Sequence, residues 1–343
     1  MSDARNSFVT ATEVAQLAGV SRSAVSRTFT DGASVSPKTR AKVLEAAQAL
    51  GYHVNLLARG LSKVASRPVC LIGSSFETPF YAALLSALSA QIQAAGRSVM
   101  VITTSGQTDT VETALTRAME YRASTIVVMS GSPPEALVQA CIATGQQVIL
   151  INRKGNDTAQ SGPVHITIDY TKATQQAVAM LAGAGCQSVA VIGSDAGTPS
   201  LIARENGFRD IGSGSGLDVT IVRAGPTGYQ TGVDAARMIL SGPGRPDGVF
   251  CVTDHIACGF MDAARQMFGI QIPDDISVLG FDDIEQAAWG SYQMTTFRQP
   301  LADIAETVCD IISMGTPEAG TTFFLQAIPV WRNSVGRGGD LSG

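Results

Sequence analysis

Four polar side chains that can contact nucleic acid fall within six residues near the amino end of the chain. Arg22, Ser23, Ser26 and Arg27 share one side of a short predicted helix, whose opposite side carries Val25. An arginine beside a base pair can donate two hydrogen bonds to guanine O6 and N7, and small hydroxyl side chains allow close approach to the backbone. The set therefore predicts a helix that lies in the major groove of DNA. A small helical module that serves packing alone is the alternative.

A helix of about two turns is the first element that positions these side chains. Thr10 and Glu13 have the spacing of a capping box, in which each side chain satisfies the backbone amide of the other residue. Gly19 has the position of a left-handed residue that ends the helix. We expect Val14 and Leu17 to form the apolar face of this helix. A tight glycine turn then leads into the helix described above.

Two further helices complete a helix-turn-helix layout. Ser21 is a predicted cap for a helix over residues 22–29, and Ser36 with Pro37 has the sequence of a helix start. Gly51 follows the predicted end of this third helix. Together the three helices predict a compact DNA-binding head.

Charge is distributed unevenly along the chain. Residues 1–67 contain nine Lys and Arg against four Asp and Glu, a net charge of +5. The whole chain carries −5, so the remaining residues carry −10. A basic module joined to an acidic body indicates local contact with a polyanion, unless the excess is a chance fluctuation in a short segment.

Residues 10–52 contain a long ordered pattern, V-A-x-x-A-G-V-S-x-x-x-V-S-R, followed by V-S-x-x-T-R-x-K-V and L-G-Y. This run resembles the head of the lactose-repressor (LacI/GalR) family nearly residue for residue. The resemblance implies a helix-turn-helix transcription regulator in which Arg22, Ser23 and Arg27 occupy base-contacting positions. Phe29 replaces a smaller aliphatic residue of the family, and we interpret this difference as local repacking.

The segment over residues 54–67 has helical spacing, with Leu57 and Leu61 at positions i and i+4. A helix this short is marginal in water and folds only where it gains contacts, and an ordinary interdomain linker is the alternative. In the family that it resembles, this segment is a hinge helix on operator DNA. The resemblance implies that Asn55, Ala58 and Leu61 contact DNA, with Leu61 as an apolar wedge in the minor groove.

From Pro68 onward, short apolar runs alternate with helical stretches. Continuous apolar strands separated by helices indicate parallel sheets that are covered on both faces. Two series predict two similar α/β lobes, with VCLIG, SVMVIT, STIVVM and QVILI in the first and VHITID, SVAVIG, DVTIV, GVFCV and ISVLGF in the second. The body, residues 68–335, resembles the two-lobed, periplasmic-binding-protein-like (type I) α/β core of the same family. The matching signatures include residues 79–81, 273–283 and 295–300, and the last of these resembles a return crossover to the first lobe.

Ligands of open parallel sheets bind beyond the carboxyl ends of the strands, and facing lobes enclose a cleft there. In the family, the residues that match Arg204 and Asp282 hydrogen-bond the effector. An arginine and carboxylates on opposite lobes suit a polyol, whose hydroxyls both donate and accept hydrogen bonds. Thr227 stands where relatives carry an aromatic residue, for which Tyr229 is a candidate substitute. The predicted effector contacts are Phe80, Tyr81, Asn152, Arg153, Asp169, Arg204, Thr253, Asp254 and Asp282.

Composition limits the other classes of function. Hydrophobic residues make up 45% of the chain and charged residues 15%, which is typical of a globular protein with an ample core. The six cysteines form no C-x-x-C pair and mostly lie in apolar runs, which indicates buried thiols and neither disulfides nor a metal site. No signal peptide is visible, and no apolar run approaches the ~20 residues that span a membrane. We therefore predict a cytoplasmic, nucleoid-associated protein without membrane contact, metal or cofactor.

These patterns together predict a ligand-controlled regulator of transcription, most simply a repressor, with no catalytic residue. It would have a head (residues 1–53), a hinge (54–67), the two-lobed body (68–335) and a tail (336–343) without heptads. A homodimer is expected, because one small head gives limited affinity and paired heads match a palindromic double-stranded operator. The alternatives are a cytoplasmic sugar-binding receptor, which needs no basic head, and a sugar-processing enzyme. The few histidines and the lack of G-x-S-x-G, H-E-x-x-H and G-x-G-x-x-G motifs count against an enzyme.

Overall fold

The structure is a computed structural model of the chain. It describes residues 9–30, 32–54, 67–74, 76, 78–104, 108–153, 162–315 and 320–336. The chain forms two compact units, Met1–Arg67 and Pro68–Gly343.

Three helices make up the described part of the amino-terminal unit. They are α1 (Ala11–Ala18), α2 (Arg22–Thr28) and α3 (Pro37–Leu50). The predicted capping box is confirmed, since the Thr10 amide donates to the Glu13 carboxylate at 2.7 Å and the Glu13 amide donates to Thr10 Oγ1 at 3.4 Å. Helices α1 and α3 both end on a left-handed glycine, as predicted.

The core of this unit is small and aliphatic. Val14, Val25 and Val43 are fully buried and form its centre. The prediction that Leu17 faces inward is wrong, because 57% of its surface is exposed. The small Ala18 lies on the buried side of α1 instead, so the helix packs closely on α3 and turns Leu17 toward solvent.

The first lobe of the body is a six-stranded parallel sheet with helices on its faces. Its strands are β1 (Val69–Ser74), β2 (Val99–Thr104), β3 (Thr125–Val128), β4 (Gln147–Ile151), β5 (Val164–Ile168) and β11 (Thr322–Leu325). Their order in the sheet is β11-β5-β4-β3-β1-β2. The helices are α4 (Pro79–Ala94), α5 (Thr108–Glu120), α6 (Glu135–Ala143) and α11 (Leu301–Met314).

The second lobe is a four-stranded parallel sheet of order β7-β6-β8-β9. Its strands are β6 (Ser188–Gly193), β7 (Asp218–Arg223), β8 (Gly248–Cys251) and β9 (Ser277–Leu279). Its helices are α7 (Tyr170–Gly183), α8 (Pro199–Gly214), α9 (Tyr229–Leu240), α10 (Asp254–Phe268) and a 3-10 turn (Glu285–Ala288). A short antiparallel pair, β10 (Thr296–Arg298) and β12 (Ile328–Val330), lies beside it.

Strand β5 belongs to the first lobe, so its predicted place in the second series is wrong. Val164 pairs with Ile149 of β4, and His165 pairs with Thr322 of β11. The run is apolar in either lobe, and only non-local pairing decides which sheet it joins. Strand β2 also departs from expectation, because it lies at the sheet edge and Val101 is 43% exposed.

Within the described residues, the chain passes between the lobes three times. The first passage is at Asp169, the second follows Gln299, and the third follows Leu325. The second is the predicted return crossover, and it is confirmed because α11 packs Ile304 and Val308 into the core of the first lobe. The amide of Asp169 donates to the carbonyl of Leu325 at 2.8 Å, so two of the passages lie side by side.

Five of the six cysteines are buried thiols, as predicted, and Cys309 is half-buried. Burial raises the pKa of Cys70 and of Cys258 to about 12, so neither thiol is a ready nucleophile at neutral pH. None of the helices that the structure describes combines the length and the apolar character needed to cross a membrane.

Candidate nucleic-acid interface and ligand cavity

Helix α2 presents a polar side to solvent. Arg22, Ser23, Ser26 and Arg27 are all exposed, as predicted from their spacing. Ser21 caps the helix by accepting from the Ala24 amide at 3.2 Å. The four side chains therefore project from the first two turns of a helix whose start is fixed.

The opposite side of α2 is held against the rest of the unit. Val25 is fully buried, and the rings of Phe29 and Tyr52 lie 5.6 Å apart between centroids. Arg40 of α3 donates to the carbonyl of Thr28 at 3.0 Å and so satisfies the carboxyl end of α2. These contacts fix the rotation of α2 and with it the direction of the exposed side chains.

The other predicted DNA contacts, Asn55, Ala58 and Leu61, lie outside the described residues. Their role as hinge contacts stays a prediction.

A cavity of about 330 Å³ lies between the two lobes of the body. It is lined from the first lobe by the ends of β1, β3 and β4 and the start of α4, and from the second lobe by the start of α8 and the loops after β8 and β9. Six of the nine predicted effector contacts line it, namely Phe80, Tyr81, Asn152, Arg204, Thr253 and Asp282. Their role in binding stays a prediction, but the structure brings them together.

Arg204 and Asp282 form a buried ion pair at 3.1 Å in this cavity. The Arg204 guanidinium also donates to the carbonyl of Val252 at 2.7 Å, and its carbon lies 3.8 Å from the ring centroid of Phe281. Both members of the pair belong to the second lobe, so the expectation of an arginine and a carboxylate on opposite lobes is wrong. The reason is that Arg204 follows β6 and Asp282 follows β9, and both strands are in one sheet.

Burial acts against both charges of the pair. It raises the pKa of Asp282 to about 6, although Arg204 and a hydrogen bond from Gln299 favour the carboxylate. Burial also opposes the charge of Arg204, but Asp282 and Tyr170 offset this and raise the pKa of the guanidinium above its ordinary value. The pair is therefore ionised at neutral pH, and its carboxylate is the member that takes up a proton on acidification.

Two cavity residues have strained backbones. Asn152 has a φ of 60° and Asp282 a φ of 132°, values that residues other than glycine rarely adopt. Tyr170 donates to Asn152 Oδ1 at 3.2 Å, and the Asp282 amide donates to the carbonyl of Phe297 at 2.9 Å. Surrounding contacts thus hold the side chain of Asn152 and the backbone of Asp282 in place, as is common at binding sites.

Hydroxyl groups outside the nine predicted effector contacts complete the lining. They belong to Ser74, Thr78, Ser130, Thr198, Ser200 and Thr227. Ser130 Oγ accepts from the Ser74 amide at 2.7 Å, and Thr227 Oγ1 lies 2.8 Å from Ser194 Oγ. The signal available in the sequence for Ser130 was its position directly after the apolar run of β3. Others sit at the first turns of helices, where a capping role is the commoner explanation.

His255 also lines the cavity and was not predicted. Its Nδ1 atom is buried and has no hydrogen-bond partner among the described residues. Burial lowers the pKa of this imidazole, so it is neutral at physiological pH and offers one donor and one acceptor.

Three predicted contacts do not line the cavity. Arg153 donates to Ser132 Oγ at 2.8 Å and to the carbonyl of Gly131, which places it behind the lining. Asp169 caps α7 by accepting from the Lys172 amide at 3.1 Å.

Asp254 is the third of these residues, and it is fully buried. It accepts from Thr296 Oγ1 at 2.5 Å and from the Ile284 amide at 3.0 Å. Burial, with the nearby charge of Asp282 in addition, raises its pKa to about 7. Its carboxylate therefore joins parts of the second lobe and lies behind the cavity wall.

Tyr229, the candidate substitute for an aromatic residue at Thr227, lies elsewhere. Its hydroxyl donates to Asp262 Oδ2 at 2.7 Å, and Tyr292 donates to the same oxygen at 2.8 Å. Thr227 itself lines the cavity, so a hydroxyl occupies that position.

The cavity offers hydrogen-bonding groups of both polarities beside apolar surface. Its one ion pair among the described residues is internally neutral, and Phe80, Leu201 and Pro226 supply apolar contacts. Such a lining suits a small uncharged ligand with several hydroxyls. Among the residues that the structure describes, no group of three or more His, Cys, Asp or Glu could hold a metal ion.

Comparison with protein families gives two matches on separate parts of the chain. A model described as bacterial regulatory proteins, lacI family, matches residues 10–55. A model described as a periplasmic binding protein-like domain matches residues 178–335. The first covers α1 to α3 and the second covers most of the second lobe.

Similar proteins cover nearly the whole chain. Catabolite control protein A of Priestia megaterium is 28% identical over 89% of this chain and 92% of its own length. The ribose operon repressor of Escherichia coli (strain K12) is 27% identical over 89% of this chain and 92% of its own length. A crystal structure of the lac repressor dimer bound to operator and an anti-inducer has a TM-score of 0.85 and 23% identity, with 96% of this chain and 99% of that chain covered. This likeness confirms the predicted fold of a helix-turn-helix head on a two-lobed α/β body.

Proposed function

The chain belongs to the lacI family of bacterial regulatory proteins, and on that premise we propose that it is a sequence-specific DNA-binding regulator of transcription, a repressor controlled by a small effector. The observation that carries the proposal is the capped helix α2, which presents Arg22, Ser23, Ser26 and Arg27 on its exposed side. This helix lies within the stretch that the family model matches.

In the proposed complex, α2 enters the major groove and its arginines read base edges. A bidentate arginine–guanine contact discriminates by about 1–3 kcal/mol against another base. Basic residues outnumber acidic ones within residues 1–67. This positive charge supports a second contribution to affinity, the attraction of the protein to DNA phosphates. The proposed hinge contacts Asn55, Ala58 and Leu61 would add binding in the minor groove next to each half-site.

We propose a sugar or a sugar derivative as the effector, bound in the cavity between the lobes. Hydroxyl, amide and imidazole groups around the Arg204–Asp282 pair match the alternating donors and acceptors of a polyol. The name of one relative, the ribose operon repressor, is consistent with this class. Phe80 and Leu201 offer apolar surface for the C–H faces of a sugar ring.

Control of DNA binding follows from a shift in population between two arrangements of the lobes. A ligand that binds one arrangement more tightly favours that arrangement by its differential affinity. We propose that the protein acts as a homodimer in which the lobe arrangement sets the spacing of two heads on a palindromic operator. Heads at the wrong spacing lose one half-site.

A gel-shift assay on the promoter next to the gene tests this proposal. The panel would contain D-ribose, D-xylulose, D-galactose, cellobiose and hypoxanthine. We expect at least one compound to change operator affinity by about tenfold or more, a coupling within the usual range for allosteric proteins. The proposal of effector control fails if no compound in a broad panel alters binding.

Two substitutions in α8 distinguish the role of the cavity from the role of other parts of the protein. Arg204→Met removes the cation of the buried pair, and we expect it to abolish the response to the active compound while DNA binding persists. Arg209→Met is the matched control, because Arg209 lies on the same helix, has a side chain that is 42% exposed and pairs only with the neighbouring Asp210 in the described structure. It should respond like the wild type.

We propose that the protein acts in the cytoplasm, on the nucleoid, without enzymatic activity. The relatives that it resembles are regulators. A test is recovery of the active sugar after prolonged incubation with purified protein. Conversion of the sugar would support the alternative of a sugar-processing enzyme.

A further inference from the structure

The segment over residues 295–299 carries the chain from the second lobe toward the first, and buried acids of the second lobe hold it. Thr296 Oγ1 donates to Asp254 Oδ1 at 2.5 Å. Arg298 Nε donates to Asp283 Oδ2 at 2.7 Å. These two bonds tie the crossover to carboxylates that do not line the cavity.

Gln299 makes the third bond of this kind, and its acceptor does line the cavity. Gln299 Nε2 donates to Asp282 Oδ1 at 2.6 Å. The same oxygen accepts from Arg204 Nη1 at 3.1 Å. The Asp282 amide in turn donates to the carbonyl of Phe297 at 2.9 Å. One carboxylate oxygen is therefore shared between the ligand cavity and the crossover.

The backbone of Gln299 contacts the first lobe. Its carbonyl accepts from the amide of Leu301 at 2.9 Å, at the first residue of α11. Helix α11 is part of the first lobe, since Ile304 and Val308 are fully buried in that core. Gln299 is itself 2% exposed. Its side chain thus holds a cavity group of one lobe while its carbonyl holds the helix start of the other.

We propose that Gln299 is a positioning residue that couples occupancy of the cavity to the arrangement of the two lobes. This inference rests on the proposed function, because it concerns how the effector site acts on the rest of the body. A ligand hydroxyl that donates to Asp282 competes with Gln299 for the same oxygen. The Gln299 amide has no second anchor in the described structure, because its Oε1 atom is buried without a partner. A change in the hydrogen bonding of Asp282 therefore alters the position of Gln299 and, with it, the backbone of residues 299–301.

The third passage between the lobes provides a matched control. Gln326 follows β11, and its Nε2 atom donates to Asp169 Oδ2 at 3.4 Å. This glutamine is exposed, and its acceptor does not line the cavity. Substitution of Gln326 therefore changes the same type of residue at another crossover without touching the cavity.

A double-mutant cycle in the full-length, ligand-free protein tests the coupling. Arg204→Met perturbs the cavity in the second lobe, and hydrogen exchange of the Leu301 and Ile304 amides reports on the first lobe. We expect Arg204→Met to change these exchange rates by about threefold or more, and by less than about 1.5-fold in the Gln299→Leu background. In the Gln326→Leu background the full response should persist. If Arg204→Met does not fold, Asp282→Asn replaces it as the cavity perturbation.

Gln299→Glu adds a readout that a merely structural role would not produce. The new carboxyl would face Asp282, whose charge interacts with Arg204, Asp254, Tyr81 and Tyr170. Because burial raises the pKa of Asp282 to about 6, the two neighbouring carboxyls share one proton over an intermediate pH range, and in that range the protonated group donates to the other as the glutamine does. At high pH both groups are carboxylates and repel each other. We expect the response to Arg204→Met to return on acidification in this variant and to be absent above neutral pH.

Equal responses to Arg204→Met in the wild type and in the Gln299→Leu background would overturn the proposal, and so would the lack of any response in the wild type. The assay needs neither DNA nor a sugar. Its failure would therefore leave the proposed regulator function in place, and failure of the promoter assay would leave this result unchanged.

Discussion

Arg22 begins helix α2, is exposed, and follows the capping residue Ser21. An arginine at this point reaches base edges when the helix lies in the major groove. We predict that Arg22→Ala lowers affinity for the operator by about 1–3 kcal/mol and reduces the preference for one base pair. Competition binding with single-base variants of the operator measures this effect.

Lys38→Ala is the control for that substitution. Lys38 is exposed at the first turn of α3, so its loss removes one positive charge from the same unit without touching α2. It should weaken binding to all sequences alike. If Arg22→Ala also reduced affinity equally for every sequence, Arg22 would not be a base-reading residue.

Asp254 makes the stability of the body depend on pH. Its pKa is raised from an ordinary 3.8 to about 7, chiefly by burial, so the folded state favours its protonated form. The stability that this group contributes is present below pH about 4 and is lost as the pH rises through 7. We predict that Asp254→Asn flattens the fall in the free energy of unfolding between pH about 4 and about 7, a fall of roughly 1.4 kcal/mol for each pH unit in that window.

Urea denaturation at a series of pH values measures this difference. Asp234→Asn is a suitable control, because Asp234 is more than one-third exposed and pairs with Arg237 on its own helix. Parallel pH profiles for the wild type and Asp254→Asn would show that the buried carboxyl does not titrate in this range.

Side chains of the site differ in how well the sequence predicts them. Arg204 and Asp282 were expected in the cleft, but their residue types do not reveal that they pair with each other across one sheet. Asp254 is the first residue of α10 and Asp169 caps the start of α7. An aspartate at a helix start serves equally as a ligand or as a structural hydrogen-bond acceptor. Only the three-dimensional arrangement separates these roles.

Elements with local signals were predictable from the sequence. At the starts of α1 and α3, the capping side chains of Thr10 and Ser36 accept from the amides of Glu13 and Thr39, which follow them closely in sequence, as the spacing predicts. The lobe of β5 was not predictable, because its partners β4 and β11 are respectively close and far in sequence and the run is equally apolar in either sheet. The passage between the lobes directly after β5 has no distinctive amino-acid composition that would mark it in the sequence.

Helices α9 and α10 approach closely through two glycines. A Cβ atom on Gly259 would overlap the carbonyl of Tyr229, and one on Gly232 would overlap the carbonyl of Ile256. We predict that Gly259→Ala lowers the free energy of unfolding by about 2 kcal/mol through overpacking. Thermal or urea unfolding measures this loss.

Gly214→Ala is the comparison for Gly259→Ala. A Cβ atom at Gly214, in the last turn of α8, meets no atom within 4 Å. This substitution should be neutral or should stabilise the protein by up to about 1 kcal/mol, because alanine favours the helix. Equal effects of the two substitutions would contradict the close approach of α9 and α10.

At the scale of the whole molecule, a basic unit and an acidic two-lobed body have the two separate roles proposed for this chain. The small unit offers contacts to DNA, and the body offers a cavity whose lining comes from both lobes. A ligand that binds both lobes stabilises the arrangement in which they fit it. The proposed regulation requires both parts in one chain.

Selection of bound duplexes from a random DNA pool by the full-length protein tests the central claim most directly. We predict enrichment of an inverted repeat, with its half-sites lost when Arg22 and Arg27 are both replaced by alanine. Recovery of sequences no different from the starting pool would contradict the claim that α2 reads DNA.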